Sequence, residues 1–370
     1  MGQLGCGSAS GWRRPSPNHT LPDLAGRPGR RARATRGTPP LSPRSVFSHS
    51  RPTLSSLSLS SQPSRRHVLS EGESLVDHAT AAAVAALTAA GIAPADVGLV
   101  LLATSSPDDL FGSAPALAAS IGATSAVAFD LTAACSGFVL ALITAAQYVR
   151  AGGARHVVVV GADALSRYVD WRDRGTCILF GDGAGAVVLS AAGGDDGSSS
   201  PSSSPSTSAP CGLLGFAMAS DGVGAKHLNA KFASPGGKAL APDAGAAGAA
   251  GEYANIAMNG QEVFKFAVRA VPMVVEAALK DAGLPGPEAI DWLVLHQANQ
   301  RILDSAAARL GVPPDRVVSN LAEYGNTSAA SIPLALDEAV RDGRVKPGEV
   351  VAIAGFGAGL TWASAIFRYG

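Results

Sequence analysis

From residue 70 onward, apolar and polar positions alternate between short unbroken runs and longer amphipathic blocks. Ser70 with Glu73 reads as a capping box that opens a helix through about Ala90. Gly98–Ala103, GLVLLA, is a continuous apolar run of strand length. A helix is expected near Ala114–Ile121, a strand at Ala126–Leu131, and a long helix at Ser136–Arg150 closed by Gly152-Gly153. His156–Val160 is a further buried strand. Strands without polar alternation are covered on both faces, and helices between them point to α/β layers.

The pattern also repeats. AALTAAGIAPADVGLVLLATSS (85–106) parallels AALKDAGLPGPEAIDWLVLHQAN (277–299). Downstream, IGATSAVAFDLTAACSGFVLAL matches LGVPPDRVVSNLAEYGNTSAASIPLAL, and FGDGAGAVVLS echoes GFGAGLTWASAIF. Three matched segments in one order imply two copies of one α/β unit. In this alignment Cys135 falls near Asn326, each where a strand and loop enter a helix.

Composition marks what lies outside the repeat. Residues 1–65 are rich in Arg, Ser and Pro with Asp23 as their only acid, which suits a transit peptide or a disordered tail. The first half spans 66–218 and contains a Ser/Pro-rich loop, 193–210, read as joining neighbouring strands. The second half spans 219–370 and contains a Gly/Ala-rich loop, 235–251. Hydrophobic residues make up 47% of the 370, enough for a large core. Lys+Arg and Asp+Glu are 29 each, so nothing global points to nucleic acid. No apolar run approaches the roughly 18 residues of a membrane span. Four cysteines without a C-x-x-C pair suggest neither a zinc knuckle nor a disulfide framework.

Three residues carry candidate chemistry. Cys135, in DLTAACSGF, sits at a helix start among small neighbours, where unpaired amides favour thiolate. Cys177, inside the strand-like TCILF, reads as structural. His296 ends the strand WLVL, at the kind of strand terminus that lines crevices in α/β folds. Asn326, in YGNTSAAS, precedes a helix. GDGAG (181–185) leads into a strand and lacks a following Gly-Lys-Ser/Thr, which argues against a phosphate loop. The small residues of GFGAG (355–359) let backbone come close to a reacting carbonyl.

DLTAACSGF, FGDGAGAVVL, LVLHQANQRI, YGNTSAASIPLALDEAV and GFGAGLTW closely resemble the β-ketoacyl-acyl-carrier-protein synthase III family, from about Arg66 to Tyr369. The resemblance implies a duplicated thiolase-like fold in five layers, αβαβα, and a homodimer. It also implies initiation of type II fatty-acid synthesis. By the resemblance, Cys135 is expected to take a short acyl group, acetyl, from acyl-CoA. His296 and Asn326 donate hydrogen bonds to the thioester carbonyl of malonyl-ACP as CO2 leaves. The amides of Cys135 and Ala358 form the oxyanion hole. Arg174 corresponds to a CoA-binding arginine, and Phe111 to a residue reaching the partner's acyl pocket. Arg301, Lys265, Arg269 and Arg309 form a candidate docking patch for acyl carrier protein. No metal or cofactor is implied, because acyl-CoA and malonyl-ACP are substrates. No nucleic-acid or membrane partner is implied, and the location is the plastid stroma or otherwise the cytoplasm. A type III polyketide synthase and an inactive, carrier-binding paralogue are the alternatives. One departure stands out. The family's first strand, expected inside the first sheet, and its CoA-stacking Trp have no match before Arg66, although Val46–Ser60 offers a poor substitute for the strand and Trp12 is the one tryptophan there. The chain is therefore expected to be incomplete or wrongly started.

Overall fold

The computed structural model describes residues 63–191, 211–233 and 252–370, so Trp12, Val46–Ser60 and the two loops at 193–210 and 235–251 lie outside the described residues. The first half runs α1 (Leu75–Ala90), β1 (Leu99–Ala103), α2 (Ala114–Ser120), β2 (Val127–Leu131), α3 (Gly137–Arg150), β3 (His156–Asp163) and β4 (Gly183–Ser190). β5 (Gly212–Ser220) follows. A small arm comes next, with β6 (Leu228–Asn229) paired to β9 (Ala257–Met258) and β7 (Phe232–Ala233) paired to β8 (Glu252–Tyr253). The second half continues with α4 (Gly260–Asp281), β10 (Trp292–Leu295), α5 (Gln300–Leu310), β11 (Val317–Val318), α6 (Leu321–Tyr324), α7 (Ser331–Arg341), β12 (Val350–Gly357) and β13 (Thr361–Arg368).

The sheets are ordered β2-β1-β3-β4 and β11-β10-β12-β13-β5. In each, three parallel strands meet one antiparallel strand, β4 or β13, so the halves repeat one topology. The unbroken apolar runs account for the layering. Leu99, Leu101, Val157 and Val159 face a central core that also holds α3, α7 and residues of the second sheet. Val100, Leu102, Val158 and Val160 face the opposite side, against α1 and α2. The second sheet likewise packs its other face on α4 and α5. The result is the expected αβαβα sandwich. Phe138 of α3 is fully buried at its centre, where truncation to Ala would cost about 3–5 kcal/mol.

Several expectations need correction. The capping box of α1 is Ser74 with Asp77, whereas Ser70 and Glu73 close a separate turn just ahead of it. Both pairs have the same spacing, but only the later one is followed by the apolar positions Leu75, Ala79 and Ala83 that bury a helix face. The loop at 193–210 does not join neighbouring strands, because β4 edges the first sheet and β5 the second. The division at 218/219 falls inside β5, which pairs with β13 and so belongs wholly to the second half. TCILF is a series of turns rather than a strand, although Cys177 is buried there as expected. The strand sought before Arg66 would also be an edge strand. Its counterpart by order is β5, at the rim beyond β13, and the equivalent place lies beside β4. An edge strand forms a ladder on one side only, so an internal position is not required.

Candidate active site

Each half carries a tight three-residue turn directly ahead of a helix: Ala134–Ser136 before α3 and Ser328–Ala330 before α7. Ala134 and Ser328 have φ of 47° and 52°, and they are the only non-glycine residues with positive φ among those described. By this register Cys135 corresponds to Ala329, and Asn326 lies three residues earlier. The sequence alignment brought Cys135 and Asn326 near each other, and the structure refines it by those three positions. Each turn presses on the middle strand of the opposite half. A Cβ on Gly355 would approach the Cys135 carbonyl to 3.0 Å, and one on Gly161 would approach the Ala329 carbonyl to 2.2 Å. At Gly161 only glycine permits that contact, and at Gly355 a side chain would fit only tightly.

Cys135, His296 and Asn326 line one cavity of about 360 Å³. All three are buried. His296 leaves the end of β10 with its ring edge-on to Phe356, centroids 5.2 Å apart. Its Nδ1 lies 2.7 Å from Ser331 Oγ, and that hydroxyl donates its own proton to the Ser328 carbonyl at 2.8 Å. Ser331 must therefore accept from Nδ1–H, which leaves Nε2 as an acceptor. Burial pushes the imidazole down to about 3, so the ring is neutral. Asn326 is pinned by its backbone to Leu179 and Gly181, both at 2.9 Å, and its Oδ1 accepts the Ser328 N–H at 2.9 Å. The Nδ2 end is left for a ligand.

The thiol departs from expectation. Burial pushes Cys135 up to about 12; the Ser328 hydroxyl works against this and the Asp163 carboxylate adds to it. A helix end contributes ~1 kcal/mol or less to an anion nearby, too little to offset full desolvation. The resting residue is a thiol, and its activation needs a base.

The other expected residues divide. Arg174 and Arg301 line the cavity and are exposed at its mouth, beneath the arm that contributes Leu228 and Met258. Arg301 stacks on Phe264, 5.6 Å from the ring centroid. Lys265 is exposed but paired with Glu262 at 2.8 Å. Arg269 is exposed on α4, and Arg309 sits in the last turn of α5, roughly 12 Å along the axis from Arg301. Ala358 opens the turn after β12, directly following Gly357, where a Cβ would come within 2.8 Å of the Cys135 amide. Phe111 and Leu110 point outward, 94% and 84% exposed, and Phe111 is not among the residues lining this chain's cavity. Ser328, Ser331 and Asp163 escaped the sequence reading, although Asp163 signals itself as a carboxylate ending the buried run VVVVGAD. Among the described residues no cluster of His, Cys, Asp or Glu could hold a metal ion, and no helix is long and apolar enough to cross a membrane.

Residues 129–207 match the 3-oxoacyl-[acyl-carrier-protein] synthase III model, and residues 279–369 match its C-terminal counterpart. The β-ketoacyl-[acyl-carrier-protein] synthase III of Synechococcus sp. (strain WH7803) is 56% identical over 306 residues, covering 82% of this chain and 85% of that one. The chain belongs to the β-ketoacyl-acyl-carrier-protein synthase III family. This condensing acyltransferase of fatty-acid synthesis is also 54% identical to the chloroplastic synthase III of Arabidopsis thaliana, over 82% of this chain and 73% of that one. Among solved structures, 3-oxoacyl-[acyl-carrier-protein] synthase III from Aquifex aeolicus aligns with a TM-score of 0.69 at 38% identity, covering 82% of this chain and 87% of that one.

Proposed function

We propose that this synthase joins a short acyl-CoA, acetyl-CoA, to malonyl-ACP with Cys135 as the acylated nucleophile. The observation that carries the reading is the convergence of Cys135, His296 and Asn326 from both halves on one cavity whose mouth bears Arg174 and Arg301. His296 Nε2 accepts the Cys135 proton, and the thiolate attacks the acyl-CoA thioester and expels CoA. Nε2, now protonated, and Asn326 Nδ2 then donate to the malonyl thioester carbonyl, stabilising the enolate left by CO2. The enolate carbon attacks acyl-Cys135, whose tetrahedral oxyanion is held by the Cys135 and Ala358 amides. The thiolate released at the end recovers its proton from His296. This cycle draws on no cofactor.

Arg174 binds CoA at the mouth, and Arg301, supported by Lys265, Arg269 and Arg309, receives the acidic carrier protein. A homodimer is supported by the edge of β2, whose Val127 is 64% exposed, and by the outward Leu110 and Phe111, which precede Gly112, itself packed on Asp130 of β2. The likeness to a chloroplastic relative supports a plastid location. Incubation with labelled acetyl-CoA should label a peptide containing Cys135, and adding malonyl-ACP should discharge the label into 3-ketoacyl-ACP. Label retained on a Cys177 peptide would overturn the assignment.

A further inference from the structure

The two turns are built alike but face different strand ends. β3 and β12 each run eight residues, so their last residues, Asp163 and Gly357, are counterparts. Gly357 adjoins the Cys135 amide and puts no side chain there. In the other half, Asp163 Oδ2 accepts the Ala329 amide at 3.2 Å, and Ala329 is the counterpart of Cys135. Its Oδ1 accepts from Thr104 Oγ1 at 3.2 Å, Ser105 N–H at 2.7 Å and Ser106 Oγ at 3.0 Å. Burial pushes Asp163 above the usual carboxylate range, and the Ser328 hydroxyl draws both it and the Cys135 thiol back down. Asp163 is fully buried, and no cation pairs with it among the described residues. A buried carboxylate held this way is costly to keep, and four donors from two halves are aimed at it.

We propose that Asp163 is a positioning residue: its carboxylate fills the second half's equivalent of the oxyanion hole and thereby sets the Asn326–Ala329 turn that aims Asn326 at the substrate. The chain of contacts is short. Asp163 holds the Ala329 N–H, and in the same turn the Ser328 N–H holds Asn326 Oδ1. One half has kept its amide open for a reacting oxygen, and the other has spent the same amide on an internal carboxyl acceptor. Asp163 does not touch substrate.

The proposal rests on Asn326 acting at the malonyl thioester, so the test measures the two half-reactions separately in the full chain. These are acetyl transfer from acetyl-CoA to Cys135 and decarboxylation of malonyl-ACP. Asp163→Asn keeps the shape but offers an amide where an acceptor is required. It should lower decarboxylation about 10²-fold, as a displacement of about 1 Å does, while acetyl transfer falls much less. Ser328→Ala, an exchange for the residue that Ala134 shows this φ tolerates, should give the same selective loss to a smaller degree. Asn326→Ala is measured alongside. If Asn326→Ala loses decarboxylation but Asp163→Asn and Ser328→Ala slow both half-reactions in equal ratio, or neither, the positioning role is overturned and the site reading stands. If Asn326→Ala decarboxylates normally, the site reading fails and the Asp163 proposal fails with it.

Discussion

The Cys135 turn and the Ser328 turn share one design but meet different surroundings. Both enter a helix through a residue of positive φ, and both abut a glycine of the other half's central strand. They differ in side chains: Ala134, Cys135, Ser136 and Gly137 stand against Ser328, Ala329, Ala330 and Ser331, Gly357 against Asp163, and His296 against Ala103. The lesson is that one turn geometry can leave its amide open in one copy and spend it on a carboxyl group in the other when the altered residues meet across the interface of the halves. Reactivity needs an open amide and a nucleophile; support needs the same amide satisfied.

The harshest way to break the contrast is to give the first turn the second's residue. Cys135→Ala should abolish acyl-enzyme formation, read as no label from acetyl-CoA, with the fold intact by circular dichroism. Next, Asn326→Ala should slow malonyl-ACP decarboxylation about 10²–10³-fold while leaving most of the acetyl transfer, whereas His296→Ala should slow both half-reactions; normal decarboxylation in both would remove the roles proposed for them. The paired glycines sharpen the comparison on stability. Gly161→Ala would drive a Cβ to 2.2 Å from backbone and should cost about 3 kcal/mol or more, against about 1–2 for Gly355→Ala, whose Cβ meets backbone at 3.0 Å. Urea unfolding midpoints rank them, and equal losses would show that the two contacts are not as unequal as their geometry.

pH gives a gentler probe. His296 stays neutral in the folded chain down to about pH 3, whereas an unfolded imidazole takes a proton near 6.5. The unfolded chain therefore binds more protons between these values, and stability present above pH 6.5 should be lost progressively as pH falls toward 3. Tm against pH should be flatter over this window in His296→Gln; an unchanged slope would place the titration elsewhere. The smallest effect is expected at the mouth. Arg301→Glu should raise KM for malonyl-ACP by about tenfold or less and leave acetyl-CoA kinetics nearly unchanged, since rim charges act mainly on association. Equal damage to both substrates would count against docking there.

The layered fold and most element positions were legible because unbroken apolar runs such as LVLLA and HVVVV have one low-energy use, a strand covered on both sides. That Cys135, His296 and Asn326 share one cavity was foreshadowed by the duplication, which sets them at related strand-to-helix junctions. What misled was local chemistry with two outcomes. Ser70-Glu73 and Ser74-Asp77 carry the same spacing, and tertiary burial of Leu75 decided between them. The helix-start position of Cys135 suggested a thiolate, and desolvation reversed that.

By itself, then, the sequence determined the periodicity, the repeat and the residue types at the two turns, since these depend on neighbours a few positions apart. Only the tertiary structure decided that β5 crosses to the second sheet, that the thiol rests protonated, and that Asp163 meets Ala329 across 166 positions of chain. Burial and long-range hydrogen bonds are properties of the assembled halves, and no local window of residues contains them.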